Sequence, residues 1–334
     1  MMKKIRNLMH ICKLSQKDLK DWLYVQMQEY YKLKKIKRTK DYLWIKGSLP
    51  ICLVAHLDTV HKQDPTKFYL DTTTNSLFSP TGIGGDDRCG VYIILELLKR
   101  GFRPSILFCC DEEIGALGAS AFVKIHTTIS NINWFLEFDR RGKTDVVCYS
   151  DDNPELTKVF EQFGFKKSYG SFSDISKLAP AYGLSAVNVS SGYYKPHTKD
   201  EYINMDDLDW IIDRATEVLS SEYVNNKYEY KEKVYTYKYD YGYYRDKSYP
   251  RNSCWDLYDE YYSDLYLCDN CKGEFYLSSL RFTMLGWLCP DCIKKFDMVY
   301  CEDCKKYVLT NNENKCLKCH KEIVIDDGES EGDL

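Results

Sequence analysis

The sequence lacks a long apolar segment. None of its apolar runs reaches the 18 residues that indicate a transmembrane helix. The basic start MMKKIRNLMHICKL is followed by SQKDLKDW, which is too polar for the apolar part of a signal peptide. We therefore expect no membrane association and a cytoplasmic location.

A strong charge of one sign is also missing. The formal net charge is −4 over 334 residues, and acidic and basic residues are mixed along the chain. This balance predicts no global field that would attract nucleic acid or a membrane. The length exceeds that of one typical domain and leaves room for additional modules.

Cysteine, in contrast, is abundant, with 15 residues. In a cytosolic protein these thiols stay reduced, so paired cysteines indicate metal binding rather than disulfides. Eight of them form CxxC turns, in which two cysteines flank two other residues: Cys268, Cys271, Cys289, Cys292, Cys301, Cys304, Cys316 and Cys319.

The spacing of these turns, CxxC-x17-CxxC followed by CxxC-x11-CxxC, is typical of zinc ribbons and of the LIM and RING class. Two turns complete a closed tetrahedral site, so we expect two structural zinc ions; interleaved pairing of the four turns is an alternative. Closed thiolate sites are structural. The module should therefore bind a protein or nucleic-acid partner and catalyse nothing.

Histidine is scarce, with six residues. His61 and His126 fit no ligand position, but two others belong to a series of ligand-type side chains: His56, Asp86, Glu112, Glu113, Asp139 and His197. Apolar runs precede three members of this series, at 51–55, 105–110 and 133–138. Such runs are typical of buried parallel strands, whose carboxyl ends meet at one sheet edge.

Two divalent metals about 3.5–4 Å apart can share one carboxylate and activate a water molecule. Asp86 is the natural bridging ligand, and Asp58 lies where it would orient the His56 imidazole. In the glutamate pair, we assign Glu112 as the general base and Glu113 as a metal ligand. Imidazole mixed with carboxylate favours zinc, with manganese or cobalt as alternatives.

At these residues the chain resembles the superfamily of co-catalytic dinuclear zinc exopeptidases, which includes leucyl aminopeptidases, tripeptidase T and glutamate carboxypeptidase. The resemblance covers residues 40–220 and implies that His56, Asp86 and Asp139 hold one metal. It implies that Asp86, Glu113 and His197 hold the other, and that the Asp86–Asp87 peptide bond is cis.

The interval between Asp139 and His197 contains 57 residues, too few for the inserted dimerisation and lid domain of the carboxypeptidase branch. The compact aminopeptidase-like branch fits better. The lid residue that a partner subunit supplies in the superfamily has no candidate here, and we expect a monomer.

Several further residues are candidates for substrate binding. Arg140 or Arg141 would bind a substrate carboxylate or form a salt bridge. Tyr193 or Tyr194 would donate to the oxyanion or pack in the core. Asp174, in a Ser-Asp stretch resembling that of the superfamily, would face the substrate; the alternative for this stretch is a helix cap, with Ser173.

The fold expected is α/β, a three-layer sandwich with a mixed, mostly parallel sheet. Predicted helices cover 15–36, 88–100, 154–163 and 206–221, and predicted strands cover 41–47 and 50–55. The catalytic domain would span 1–221 and the zinc-ribbon module 263–325, with an acidic tail at 326–334. Residues 222–262 contain thirteen tyrosines and would form a hairpin on the catalytic domain or a linker.

The sequence thus predicts a metal-dependent hydrolase that cleaves amide bonds of small peptides as an aminopeptidase. One alternative is a deacylase or another non-peptidase amidohydrolase on the same scaffold. Another is a vestigial peptidase fold that acts as a zinc-ribbon adaptor. The intact ligand series argues against the second alternative.

Overall fold

Alternating strands and helices build the first of two units in the computed structural model. The structure describes residues 2–151, 153–232, 265–268, 270–271, 274–276, 281–283, 286–301, 303–304, 306–310, 315–316 and 319. The chain divides into the units Met1–Lys238 and Tyr239–Leu334. No helix among the described residues is long and apolar enough to cross a membrane.

The helices of the first unit are, in chain order, α1 (Met2–Cys12), α2 (Gln16–Tyr30), α3 (Gly85–Lys99), α4 (Leu117–Ile125), α5 (Pro154–Gln162), α6 (Ile175–Tyr182) and α7 (Met205–Ser220). Short 3-10 helices occupy Leu33–Lys35 and Glu222–Asn225. The predicted helices at 88–100, 154–163 and 206–221 correspond to α3, α5 and α7.

The strands of this unit are β1 (Ile36–Arg38), β2 (Tyr42–Ile45), β3 (Leu49–His56), β4 (Tyr69–Asp71), β5 (Ser76–Phe78), β6 (Pro104–Cys109), β7 (Phe135–Arg140), β8 (Asp145–Val147), β9 (Lys166–Lys167), β10 (Ala186–Ser190), β11 (Tyr193–Tyr194) and β12 (Tyr202–Asn204). Eight of them form one sheet in the order β1-β2-β6-β3-β7-β10-β8-β9. The central strands β6, β3, β7 and β10 are parallel to one another. The others in chain order, β4, β5, β11 and β12, form a small antiparallel sheet.

Apolar side chains cover both faces of the large sheet, as in a strand buried on two sides. Along β3, Leu53 and Ala55 join the cluster that contains residues of α1, α2, α3, α5 and α7. Cys52 and Val54 join the cluster formed with α4 and α6. The alternation places helices on both faces, which confirms the predicted three-layer α/β fold with its mixed, mostly parallel sheet.

The predicted helix at 15–36 is wrong at its carboxyl end. It begins as expected, because the Ser15 side chain accepts a hydrogen bond from the Asp18 amide. It ends at Tyr30, since Tyr31 takes an extended conformation and its hydroxyl donates to the Pro104 carbonyl, 2.7 Å away. The chain then supplies β1, the edge strand that pairs with β2.

Residues 222–232, the beginning of the tyrosine-rich segment, lie on the first unit. The Ser185 amide donates to the Tyr228 carbonyl at 2.8 Å, and the Tyr230 amide donates to the Gly183 carbonyl at 3.2 Å. Tyr228 is itself buried. The choice between hairpin and linker for the rest of the segment, 233–262, lies outside the described residues.

The second unit contains short strands around cysteine turns. Its elements are β13 (Leu265–Leu267), β14 (Glu274–Tyr276), β15 (Arg281–Thr283), β16 (Gly286–Leu288), α8 (Pro290–Lys295), β17 (Val299–Cys301) and β18 (Lys306–Val308). β13 pairs with β14, and the other strands form a sheet in the order β16-β15-β18-β17. The predicted acidic tail at 326–334 lies outside the described residues.

Candidate active site

The residues of the predicted ligand series meet at one edge of the large sheet. His56 ends β3, Asp139 lies near the end of β7, and Glu112 and Glu113 follow β6. Because β3, β6 and β7 are parallel neighbours, their carboxyl ends deliver these side chains to the same place. Asp86 arrives from the start of α3.

Asp86 lies between two histidines. Its Oδ1 is 3.1 Å from His56 Nε2, and its Oδ2 is 3.2 Å from His197 Nε2. On the first side, His56 Nε2 is also 3.6 Å from Asp139 Oδ1. On the second, His197 Nε2 is also 3.2 Å from Glu113 Oε2. The site thus consists of two sets of donors that share the Asp86 carboxylate.

These separations fit bound metal ions. Two nitrogen or oxygen ligands in tetrahedral zinc coordination lie about 3.3 Å from each other, given metal–ligand bonds of about 2.0–2.1 Å. Glu113 Oε1 is buried and has no hydrogen-bond partner among the described residues, so it is available to a cation. The donor chemistry of imidazole and carboxylate suits zinc, manganese or cobalt.

The raised pKa values of the buried acids also favour bound cations. Burial, together with the charges of Asp139 and Glu113, raises the pKa of Glu112 to about 8. Burial and the neighbouring Asp86 raise the pKa of Asp139 to about 7. Acidic groups crowded in a buried site disfavour each other's ionised forms, and bound cations would relieve that repulsion.

Asp58 connects the His56 imidazole to the turn that carries the glutamates. Its Oδ1 accepts the Glu112 amide and its Oδ2 accepts the Glu113 amide, each at 3.0 Å. The same Oδ1 lies 3.3 Å from His56 Nδ1. A carboxylate in this position orients the imidazole and the glutamate pair together.

A buried glutamate that sequence reasoning missed holds the glycine-rich loop. Glu201 accepts the Gly84 amide at 2.9 Å and the Asp86 amide at 3.0 Å. Its Oε2 also lies 2.7 Å from Nε2 of His61, a residue for which the sequence indicated no role as a ligand. The available signal was its position four residues after His197, within PHTKDEY.

The Asp86–Asp87 peptide bond is cis, as the resemblance implies. Asp87 is also close enough to His56 and Asp139 to form a second possible ligand set with them. Its carboxylate, however, already accepts the amides of His56 at 3.3 Å and Gly90 at 2.9 Å. We therefore favour Asp86, which faces both histidines, as the shared ligand.

The two candidate tyrosines point in different directions. The Tyr193 hydroxyl donates to Asp139 Oδ1 at 3.1 Å, so this buried phenol borders the site. The Tyr194 hydroxyl donates to Asp207 in α7 at 2.5 Å. Arg140 forms the salt bridge that was its alternative role, with its Nε 3.3 Å from Asp145 Oδ2.

Asp174 occupies the position before α6 but makes no capping hydrogen bond with its side chain. The Ser173 hydroxyl donates to the Glu137 carboxylate instead of capping the helix. Asp174 is fully buried, and burial with the nearby charge of Glu112 raises its pKa to about 7.

In the second unit the cysteine turns group in sequence order. Cys268, Cys271, Cys289 and Cys292 form one cluster, and the other four cysteines of the series form the second. The sulfurs of Cys271 and Cys289 are 3.9 Å apart. Sulfur ligands on one zinc lie about 3.8 Å apart, given Zn–S bonds of about 2.3 Å. The grouping agrees with sequential pairing rather than the interleaved alternative.

Comparison with known proteins finds similar peptidases for the first unit. Residues 44–196 match the model of peptidase family M28. The fold is similar to aminopeptidase PepT from Bacillus cereus, with 13% identity and a TM-score of 0.52 over 65% of this chain and 97% of that one. It is also similar to a tripeptidase from Staphylococcus aureus, with 12% identity and a TM-score of 0.53 over 65% and 97%. No curated protein matches the sequence.

At these identities the structural likeness establishes the fold, and the family match covers the segment from His56 to Asp139 and nearly to His197. The first unit has the same fold as these aminopeptidase and tripeptidase structures. Within this unit, residues 44–196 are similar to peptidase family M28.

Proposed function

We propose that the first unit is an aminopeptidase that hydrolyses small peptides with two metal ions, most simply zinc. The observation that carries this proposal is the Asp86 carboxylate facing one histidine with each oxygen. His56, Asp86 and Asp139 would hold one ion, and Asp86, Glu113 and His197 the other. When bound, such ions polarise the scissile carbonyl and lower the pKa of water.

Glu112 is the residue of this chain that moves the proton. The Asp58 carboxylate accepts the amides of both glutamates. The Glu113 side chain faces His197, whereas the Glu112 carboxylate has no hydrogen bond or ion pair with the described residues. As general base, Glu112 takes a proton from the attacking water and then gives it to the leaving amine. The Tyr193 hydroxyl fixes the orientation of Asp139 by donating to its Oδ1.

The short interval between Asp139 and His197 supports the compact aminopeptidase-like branch over the carboxypeptidase branch. Between Asp139 and His197 the described residues form β8–β11, α5 and α6, and all of the strands except β11 belong to the large sheet. No separate domain is inserted among the described residues of this interval.

Substitution of the two glutamates tests the assignment. Glu112→Gln should lower kcat on a peptide or amino-acid amide by about 10²–10⁴, with the metal content unchanged, because glutamine cannot accept the proton. Glu113→Gln should instead lower the metal-to-protein ratio. Glu161→Gln, at an exposed position of α5, is the matched control. If the phenotypes of Glu112 and Glu113 are exchanged, the roles within the pair are reversed.

For the second unit, we infer two structural zinc ions, one in each cysteine cluster. Four thiolates leave no open coordination position, so the unit would stabilise a binding surface rather than take part in hydrolysis. A protein or nucleic-acid partner of this surface remains a prediction of the sequence.

A further inference from the structure

Helix α2 contacts the strand end that carries the catalytic glutamates. Gln16, its first residue, makes two hydrogen bonds with Asp111: Nε2 donates to Asp111 Oδ1, and the Asp111 amide donates to Gln16 Oε1, each at 2.9 Å. One helical turn later, the buried Lys20 donates from Nζ to Cys110 Sγ at 3.3 Å and to the Lys40 carbonyl. Residues four apart lie on the same face of a helix, so one face of α2 contacts both Cys110 and Asp111.

Those two residues lead directly into Glu112. Asp111 has a φ of 59°, the left-handed region that few residues other than glycine adopt, although aspartate tolerates it better than most. Its carbonyl accepts the Leu117 amide at 3.1 Å, which closes the turn that contains both glutamates. A conformation of this kind persists where surrounding contacts hold it, and Gln16 supplies two of them.

The contacts from α2 complement those from Asp58. Asp58 accepts the amides of Glu112 and Glu113, on one end of the turn. Gln16 and Lys20 hold Asp111 and Cys110, on the other end. The turn is therefore fixed on both sides of Glu112, and one side depends on a helix that precedes the segment matching the M28 family, which begins at residue 44.

We propose that Gln16 is a positioning residue for Glu112, supported by Lys20, and that α2 thereby forms part of the catalytic apparatus. The proposal rests on the proposed function of Glu112 as general base. Loss of the paired hydrogen bonds lets the turn shift, and misplacement of a catalytic group by about 1 Å can lower a rate by about 10²-fold. Because Glu112 is proposed to move a proton and not to bind substrate, we expect kcat to fall while KM stays the same.

A double-variant cycle on the full-length, metal-loaded chain tests the pair. Gln16→Met keeps the side-chain length and removes both hydrogen bonds. Gln16→Glu sets two carboxylates against each other. Asp111→Asn combined with Gln16→Glu restores both bonds with the side-chain donor and acceptor exchanged. Gln28→Met, at an exposed position of the same helix, is the control.

We expect kcat to fall about 10-fold or more in Gln16→Met and in Gln16→Glu, with KM, Tm and metal content close to wild type. The double variant should recover most of the loss. Full kcat in Gln16→Met, or a loss that follows Tm and is not recovered by the double variant, overturns the positioning role. A wild-type chain that hydrolyses no peptide or amide overturns the proposed function. This outcome differs from failure of the positioning role alone, in which the wild-type chain is active and Gln16→Met keeps its full kcat.

Discussion

Asp58 contacts two parts of the site at once. It accepts two backbone amides from the glutamate turn and faces the His56 imidazole. Asp58→Asn turns one acceptor oxygen into a donor, which then opposes a backbone amide or the imidazole. We expect metal affinity to fall by about 10–100-fold, as for other groups that orient metal ligands. Titration with zinc, with Asp64→Asn at an exposed position as control, measures the change. Equal affinity in both variants would remove Asp58 from this role.

The structure brings together the site residues whose chemistry was visible in the sequence, and their roles stay predictions. His56, Asp86 and Asp139 follow or precede recognisable patterns, and the structure brings them together. Glu201 and Gln16 were missed because their partners lie 115 and 95 residues away in the chain, and a lone glutamate or glutamine carries no local signal. For the same reason, the sequence did not predict which group the Tyr194 hydroxyl contacts, since its partner Asp207 becomes a neighbour only through folding.

At the scale of elements, the apolar runs predicted the central strands, because burial on both faces leaves a continuous apolar pattern. The helix at 15–36 was predicted too long. Its periodicity continues past Tyr30, but the pairing of β1 with β2 and the hydrogen bond from Tyr31 outweigh local helix propensity. Propensities of this size, below about 1 kcal/mol per residue, are commonly overridden by tertiary contacts.

The segment 222–232 yields a prediction about truncation. A chain that ends at residue 221 loses the backbone partners of Ser185 and Gly183 and the acceptor of the Asn133 side chain, the Val224 carbonyl. Buried groups left without partners cost about 1–3 kcal/mol each. We expect a clearly lower Tm for this truncation than for one that ends at residue 238, measured by thermal unfolding. Equal Tm values would mean that 222–232 adds no stability.

Hydrolysis should survive the truncation at 238, because the closed thiolate clusters do no chemistry. The assay compares this shortened chain with the full-length chain on the same amino-acid amide. A folded, metal-loaded product that hydrolyses nothing the full-length chain hydrolyses would show that the second unit contributes to the active site.

For the whole molecule, the clusters predict a metal content. Two ions at the Asp86 site and one in each cysteine cluster give about four zinc per chain. The combined variant Cys268→Ser and Cys301→Ser should lower the ratio towards about two and leave hydrolysis of a small amide unchanged. Elemental analysis of purified protein measures both values. A ratio near two that the variant does not change would mean that the cysteine clusters bind no metal.

The two halves of the active site differ in their access to solvent. The His56 side chain is 1% exposed, whereas the His197 side chain is 55% exposed. An ion held by Glu113 and His197 would therefore exchange water and react with a chelator directly. An ion held by His56 would be released only after the protein opens. We expect chelation to proceed in two kinetic phases, with one equivalent leaving the dinuclear centre fast and the other slowly. Stopped-flow removal of cobalt, followed by its absorption, tests this asymmetry; a single phase for both ions would contradict it.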